Sequence, residues 1–361
     1  MSQTHTHEPD RQPPAPDRGA GGRVPIGRVV LLLILLALLL AGLAAATTLG
    51  STGLALSEVI EALGRRGLLG TPEATPADNI VWNVRLPRAI LSVLVGLNLA
   101  VAGVLLQGIM RNPLASPGII GVTAGAALFA TLAMLAVPAM AGLAFLEALS
   151  LPTMAFVGAV LVAAVVYAMS WQPGLGTSPT RMILAGVAVT AMVGAMQSFL
   201  AVYFADRIGG VMLWLAGSLN ARSWHQLPMI WPFSIGGLGL ALAIARPLNL
   251  LQMGEDSARS LGVGVQQTRA LAIVAAALLT ASAVSVAGIV GFVGLVVPHI
   301  LRYTLSHNHR WLIPGAALGG AVLVCWADVF ARILGEMPVG VLTAAIGGPY
   351  FVFLLYKTRL I

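Results

Sequence analysis

Few side chains in this 361-residue chain could act as nucleophiles, metal ligands or phosphate-binding groups. Its one cysteine, Cys325, excludes an intramolecular disulfide and a zinc site built on several cysteines. Its one lysine, Lys357, lies in YKTRLI, so the sequence has no P-loop of the form GxxxxGK[ST]. His299 has no second ligand at a metal-binding spacing, which favours a structural role. We therefore expect no catalytic residue, no metal site and no cofactor on this chain.

Two arginines flank a stiff turn in the segment RLPR, residues 85–88. Pro87 fixes its own φ and pushes Leu86 toward an extended backbone, so Arg85 and Arg88 stand at the rigid start of an apolar stretch. Arginines in such a place either snorkel at the membrane edge or form a fixed cationic patch that receives carboxylates of a partner. The residues alone leave both interpretations open.

The longest polar segment between apolar stretches covers residues 246–269, RPLNLLQMGEDSARSLGVGVQQTR. We predict two short helices here, broken by Gly254 and Gly262. A loop that only joined two membrane helices could be far shorter, and an amphipathic element of this kind suits docking to a soluble partner. The alternative is an element lying on lipid headgroups, but the acid pair Glu255–Asp256 fits an anionic surface poorly.

Composition indicates the surroundings of these segments. Hydrophobic residues make up 58% of the chain and charged residues 9%, whereas soluble domains carry about 25% charged residues. Charge-free stretches predict an all-α polytopic membrane protein with about ten transmembrane helices. The predicted spans are 26–48, 88–109, 118–137, 151–170, 180–204, 228–245, 268–287, 290–307, 311–330 and 338–356. Residues 1–25, polar and rich in Pro and Gly, are predicted to form a disordered cytoplasmic tail, and residues 26–361 one transmembrane permease domain.

The number of spans depends on the charge-free stretch 270–301, which is too long for one ordinary helix. We predict that it turns near Gly288–Gly291 and that its second half continues as a separate span. Both ends of the chain are basic, so both are expected in the cytoplasm, and this requires an even number of spans.

The distribution of charge bears on the class of membrane protein. An ion-driven secondary carrier usually keeps an ionisable group near the bilayer midplane, and the predicted spans carry none there. An intramembrane protease would need a cluster such as paired Asp, or His with Glu, which the spans also lack. The pattern favours a permease whose energy and specificity come from separate partners. An ion-coupled secondary transporter is the alternative of another class.

Several motifs, in matching order and spacing, resemble the permease subunits of the ABC importers for iron chelates and vitamin B12. They are RLPR, QGIMRNPLASPGIIGVTAGA, WLAGSLNARSW, LNLLQMGEDSARSLGV, GFVGLVVPHILR, ADVFAR and MPVGVLTAAIGGPYF. The resemblance runs from about residue 80 to residue 361 and leaves the tail outside it.

This resemblance implies the type II ABC importer permease fold and a set of partners. The partners are a second permease subunit, either the same chain or a paralogue, two cytoplasmic ATPase subunits that bind ATP and magnesium, and a periplasmic or lipid-anchored substrate-binding protein. It also implies a multi-pass protein of the bacterial inner membrane with both termini in the cytoplasm, and no binding to nucleic acid.

Site residues follow from the same resemblance. In this family the loop resembling residues 248–263 contacts the ATPase, which implies coupling residues at Gly254, Glu255, Ala258, Arg259, Leu261 and Gly262. The positions resembling Arg85, Arg88 and Arg332 face acids of the binding protein. Thr180 falls near the family's cytoplasmic constriction, although Pro179 departs from the usual hydroxyl residue there. Asn112, in a turn that is equally a structural connector, is a second gate candidate.

Two motifs bear on the class of substrate, which the resemblance gives as an iron chelate. WLAGSLNARSW and RNPLASPG are closer to ferric-siderophore permeases than to B12 permeases. The resemblance therefore favours a ferric siderophore as substrate, with haem second and cobalamin third.

Overall fold

The computed structural model describes residues 26–50, 54–68, 75–136, 150–174, 176–207 and 209–358. The predicted tail, residues 1–25, lies outside them. The α-helices are α1 (Ile26–Thr48), α2 (Leu56–Leu68), α3 (Pro76–Asn79), α4 (Leu86–Met110), α5 (Val122–Ala136), α6 (Leu151–Ser170), α7 (Pro179–Tyr203), α8 (Gly209–Leu215), α9 (Leu227–Ala243), α10 (Ala245–Gln252), α11 (Glu255–Ser260), α12 (Val265–Ala287), α13 (Val293–Thr304), α14 (His309–Ile333) and α15 (Val339–Thr358). A small antiparallel hairpin, β1 (Trp171–Gln172) with β2 (Gly176–Thr177), lies between α6 and α7.

Each of the ten predicted spans overlaps one of these helices, namely α1, α4 to α7, α9 and α12 to α15. Seven helices of the described chain are long and apolar enough to cross a membrane, and α5 and α15 are shorter apolar helices. A short π-helical segment, Ile80–Arg85, leads from α3 into α4 without a break. The helices thus lie at the positions that the uncharged apolar stretches predict. The predicted all-α membrane architecture is confirmed.

The helix α13 is shorter than the predicted span 290–307. It has 12 residues, which rise about 18 Å against a hydrocarbon core of about 30 Å. The turn before it falls where the glycines predicted it, because α12 ends at Ala287 and Gly288 has φ +72°. Gly294, near the start of α13, lies against the backbone of α4 at Leu99. The helix therefore begins inside the bundle and covers about half of the membrane thickness.

The segment before α13 is held by contacts between backbones. The amide of Ser218 donates to the carbonyl of Ala287 at 2.7 Å, and the amide of Gly340 donates to the carbonyl of Gly217 at 3.0 Å. A Cβ on Gly217 would collide with the carbonyl of Ile289, so the three chain segments approach more closely than side chains would allow. The end of α8, the turn after α12 and the start of α15 thus meet within the protein.

The central helix of the bundle is α4, which is buried on most of its faces. It packs against α12, α13 and α14. A Cβ on Gly96 would collide with the carbonyl of Gly320 in α14, and one on Gly103 would collide with the carbonyl of Gly294 in α13. Small residues therefore set the distance between these helices, as they do in membrane bundles generally.

The bundle has two ends that differ in polar content. We call the end that carries the start of α4 and the end of α14 the arginine end, because Arg85, Arg88 and Arg332 lie there. We call the opposite end, with α10, α11 and the β1–β2 hairpin, the loop end. Between the two ends, outer helices such as α7 expose apolar side chains, among them Leu184, Met192 and Val202, as a membrane or a neighbouring subunit requires.

Candidate coupling surface and arginine cluster

The polar segment at the loop end forms two short helices, as predicted. Leu248 and Leu251 bury the apolar side of α10, and Ala258 buries that of α11. Gly254 has φ +121° and Gly262 has φ +80°, a region of backbone conformation that glycine adopts without steric cost. These two glycines therefore separate α11 from its neighbours and hold it as an independent helical turn at the protein surface.

Large apolar side chains of this segment are exposed although the segment lies outside the spans. Met253 is 65% exposed and Leu261 is 59% exposed. Beside them, Arg259 contacts Glu255 and Asp256 at 3.6 Å each, in exposed ion pairs that contribute little to stability. Exposed apolar residues rimmed by charges are typical of a protein interaction site. We call residues 252–262 the coupling surface.

Arg269 connects the coupling surface to the start of α7. Its side chain is only 4% exposed and forms an ion pair with Glu255 of α11. Its Nη1 also donates to the carbonyl oxygen of Thr177 in β2 at 2.9 Å. The backbone amide of Thr177 in turn donates to Oε1 of Gln266 at 3.0 Å. One buried guanidinium thus joins α11, the first turns of α12 and the hairpin that precedes α7.

Neither Arg269 nor Gln266 belongs to the site residues predicted from the sequence. One feature of the sequence could have pointed to Arg269: it is the last residue of the polar segment 246–269 and the cation nearest to the start of the predicted span 268–287. Its partner Glu255 was predicted as a coupling residue, and the structure places that carboxylate between Arg259 at the surface and Arg269 in the interior.

The two gate candidates lie on different elements. Thr180 is the second residue of α7, after Pro179, and is exposed. The side chain of Ser178 caps this helix by accepting from the amide of Arg181 at 3.3 Å. Asn112 lies in the turn after α4, where its Oδ1 accepts from the amide of Leu114 at 2.9 Å. The turn geometry of Asn112 agrees with a connector, and a role in gating stays a prediction for both residues.

The arginine end contains a buried ion network. Arg88 pairs with Asp328 at 2.9 Å and with Glu336 at 2.8 Å. Arg332 pairs with the same Asp328 at 2.6 Å. The exposed fractions of Arg88 and Arg332 are 6% and 9%, and that of Asp328 is 1%. One carboxylate therefore lies between two guanidinium groups and pairs with both, and Glu336 is a second acid for Arg88.

The same arginines cap the end of α1. Arg332 donates to the carbonyl of Ala46 at 2.7 Å. Arg85 donates to the carbonyls of Thr47 and Thr48 at 2.8 and 2.7 Å. The last carbonyls of a helix lack partners within the helix, and cations near them are favourable. The cluster therefore ties α1, α4 and α14 together.

This geometry differs from the exposed cationic patch that the sequence suggested. The guanidinium groups of Arg85, Arg88 and Arg332 are buried and already contact groups of this chain, whereas the side chain of Glu336 is 40% exposed. The reason is long-range: the carbonyls of α1 come to Arg85 and Arg332, and Asp328 and Glu336 come to Arg88, only when the bundle is assembled. Docking of a partner at this end stays a prediction.

A buried central helix, apolar outer helices of membrane-spanning length and a structured polar segment at one end make this a polytopic membrane permease. The chain belongs to the FecCD transport family, which matches residues 31–357.

Several characterised permeases are similar to the chain over most of its length. The hemin transport system permease protein HmuU of Yersinia pestis is 40% identical over 304 residues, which cover 79% of this chain and 86% of HmuU. The cobalamin import system permease protein BtuC of Halobacterium salinarum is 42% identical over 287 residues, with 79% and 75% covered. The Fe(3+) dicitrate transport system permease protein FecD of Escherichia coli is 41% identical over 285 residues, with 78% and 86% covered.

A solved structure is similar as well. It is a metal-chelate type ABC transporter in an inward-facing conformation, 31% identical to this chain, with a TM-score of 0.77. The match covers 91% of this chain and 99% of the other. The fold described above is therefore that of an ABC transporter permease of the metal-chelate type.

Proposed function

We propose that this chain is the membrane-spanning subunit of an ABC importer that passes an iron chelate across the bacterial inner membrane. The coupling surface is the observation that carries the proposal, because it presents uncovered apolar residues and charges outside the spans and is joined to α7 by Arg269. Membership of the FecCD transport family supports it.

The preferred substrate in this proposal is a ferric siderophore, with haem and cobalamin as alternatives. The similar permeases act in hemin, cobalamin and Fe(3+) dicitrate systems at 40%, 42% and 41% identity, so overall identity does not discriminate among these substrates. The segments WLAGSLNARSW and RNPLASPG remain the basis for placing the siderophore first.

The proposed assembly contains two permease subunits, two ATPase subunits and a substrate-binding protein. ATP and magnesium bind to the ATPase subunits, and this chain carries no cofactor. Both termini and the coupling surface face the cytoplasm, and the arginine end faces outward. When the ATPase subunits close on ATP, a displacement of α11 would pass through Arg269 to the β1–β2 hairpin and the start of α7, where Thr180 lies.

Docking of the binding protein at the arginine end requires an exchange of partners. Arg88 is bound to the half-exposed Glu336, so a carboxylate of the binding protein would displace Glu336 and take its place on Arg88. Arg85 and Arg332 would support this exchange from the buried side of the cluster.

The test is uptake into proteoliposomes that contain this chain with its ATPase subunits and binding protein. We expect accumulation of a ferric hydroxamate that requires both ATP and the binding protein, with slower uptake of haem and cobalamin. Preferred uptake of haem or of cobalamin would replace the siderophore by that substrate. Accumulation by this chain alone, driven by an ion gradient, would overturn the proposal in favour of a secondary transporter.

A further inference from the structure

A cationic cavity at the loop end lies beside the coupling surface, shares Gln252 with it, and is lined by neither Glu255 nor Arg269. Its volume is about 300 Å³, at the lower end of the roughly 300–1,000 Å³ that is usual for small-molecule sites. The end of α4, the turn after it, the end of α10 and the last turns of α13 form its walls. Its polar lining includes Gln107, Arg111, Asn112, Gln252, His299 and Arg302.

Two residues that line the cavity carry buried nitrogen atoms without hydrogen-bond partners among the described residues. Arg302 is 9% exposed, and its Nε donates to Oε1 of Gln107 at 3.2 Å. Its Nη2 is buried and has no partner in the described part of the chain. His299 is 5% exposed, and its Nδ1 is also buried without a partner among the described residues. Buried polar groups without partners are costly, so an acceptor in this cavity would remove an existing penalty.

The charged side chains that line the cavity are all basic. Arg111 lies exposed at its mouth, and His307 is exposed beside it. No Asp or Glu is among the described residues that line the cavity, and neither Arg111 nor Arg302 forms an ion pair within the described ranges. Two guanidinium groups, imidazoles and side-chain amides offer more N–H donors than a carboxylate with two oxygens can use. A phosphate group, with more oxygens, suits this donor set better.

We propose that this cavity binds a phosphate group. Its oxygens would accept from Nη2 of Arg302 and Nδ1 of His299, with Arg111 at the mouth. Tyr303, beside His299, is 75% exposed, and exposed aromatic residues at the ends of membrane helices are typical of the headgroup level. Basic pockets between membrane helices on the cytoplasmic side suit anionic headgroups. A phospholipid headgroup is therefore the expected source, and free phosphate is the other.

The test uses the full-length chain purified in detergent. Thermal unfolding is followed with added phosphatidylglycerol, with phosphatidylcholine and with inorganic phosphate, and bound lipid is counted by native mass spectrometry. The variants are Arg302→Gln and Arg111→Gln, and Arg310→Gln is the matched control because Arg310 is exposed at the same end but does not line the cavity. Arg111→Gln is the second variant should Arg302→Gln fold poorly, since Arg111 is exposed.

We expect phosphatidylglycerol to stabilise the wild-type chain more than phosphatidylcholine does. Loss of one charged donor should weaken binding roughly 10- to 100-fold in Arg302→Gln and less in Arg111→Gln, with no change in Arg310→Gln. Stabilisation by inorganic phosphate alone, lost in Arg302→Gln, would support the phosphate site with a free anion as its occupant. No response to either compound, or an equal loss in Arg310→Gln, would overturn the proposal.

Discussion

The two ends of the bundle satisfy their charges in opposite ways. At the arginine end, Asp328 is 1% exposed and lies between two arginines, and the remaining donors contact carbonyls at the end of α1. At the loop end, Arg259 forms only exposed ion pairs, and Met253 and Leu261 are uncovered. The first region is complete within one chain, whereas the second is complete only with a partner.

The difference indicates that the arginine end stabilises the helix bundle, whereas the loop end transmits changes from a partner. A buried network whose members pair within one chain holds its helices in one arrangement, and loss of one member leaves the others unpaired. An exposed surface with weak ion pairs can exchange its contacts at little cost. We therefore expect mutations at the arginine end to act first on stability, and mutations at the loop end to act first on docking and transport.

The largest effect is expected for Asp328→Asn. Removing the shared acid leaves the buried guanidinium groups of Arg88 and Arg332 without their common partner, which should lower the free energy of unfolding by about 3–5 kcal/mol. Thermal unfolding in detergent measures it. Asp206→Asn is the control, because Asp206 is exposed and should change stability little. Equal stability of the two variants would contradict a role of this ion network in stabilising the bundle.

Arg269→Gln should uncouple transport from ATP hydrolysis. The variant loses the ion pair with Glu255 and the charged hydrogen bond to Thr177, and charged hydrogen bonds contribute about 1.5–3 kcal/mol each. We expect substrate uptake per ATP hydrolysed to fall roughly tenfold while the ATPase subunits still bind. Arg269→Lys keeps the charge and should recover part of the loss. An unchanged ratio of uptake to hydrolysis in Arg269→Gln would exclude Arg269 from transmission.

Replacing both Glu255 and Arg259 by Ala should weaken docking of the ATPase subunits. Charge-assisted contacts with a soluble partner are lost, so affinity should fall by about 1–3 kcal/mol. Loss of Glu255 also leaves the buried Arg269 without its acid and should lower stability, whereas Arg259→Ala alone keeps that pair and should weaken docking without a comparable loss of stability. Pull-down of the ATPase and thermal unfolding of the same samples measure the two quantities. Unchanged pull-down and unchanged uptake would make residues 246–269 a simple connector.

The smallest effect is expected for Glu336→Gln, which asks whether the arginine end also docks a partner. Glu336 is half-exposed and pairs with Arg88, so its loss should cost at most about 1 kcal/mol of stability. If a binding-protein carboxylate competes for Arg88, this variant should bind that protein more tightly, and Arg85→Ala, Arg88→Glu and Arg332→Ala more weakly. Unchanged affinity in all four would leave the cluster a purely structural one.

Helix positions could be predicted because apolar stretches bounded by polar residues determine them. The observed α6, Leu151–Ser170, coincides with its predicted span, and the breaks at Gly254 and Gly288 fall where glycine permits positive φ. The length of α13 could not be predicted from the sequence. A charge-free stretch indicates an apolar environment, but it does not indicate at which depth of the bundle a helix begins.

The predicted site residues lie at the two ends of the bundle, but their contacts could not be read from the sequence. The i, i+4 spacing of Asp328 and Arg332 predicts one pair within a helix, whereas the partner Arg88 is 240 residues away in sequence. The link from Arg269 to Thr177 spans 92 residues and ends on a backbone carbonyl, which has no sequence signature. Long-range contacts of this kind arise from tertiary packing alone.

The half-length helix α13 has a consequence for how the protein is made. Insertion of a span into the bilayer as it leaves the ribosome requires about 20 apolar residues, and α13 has only 12 residues in all, among them His299 and Arg302. On its own it would not be retained in the lipid. We therefore expect α13 to depend on α4, whose backbone its one glycine, Gly294, contacts, for its place in the membrane.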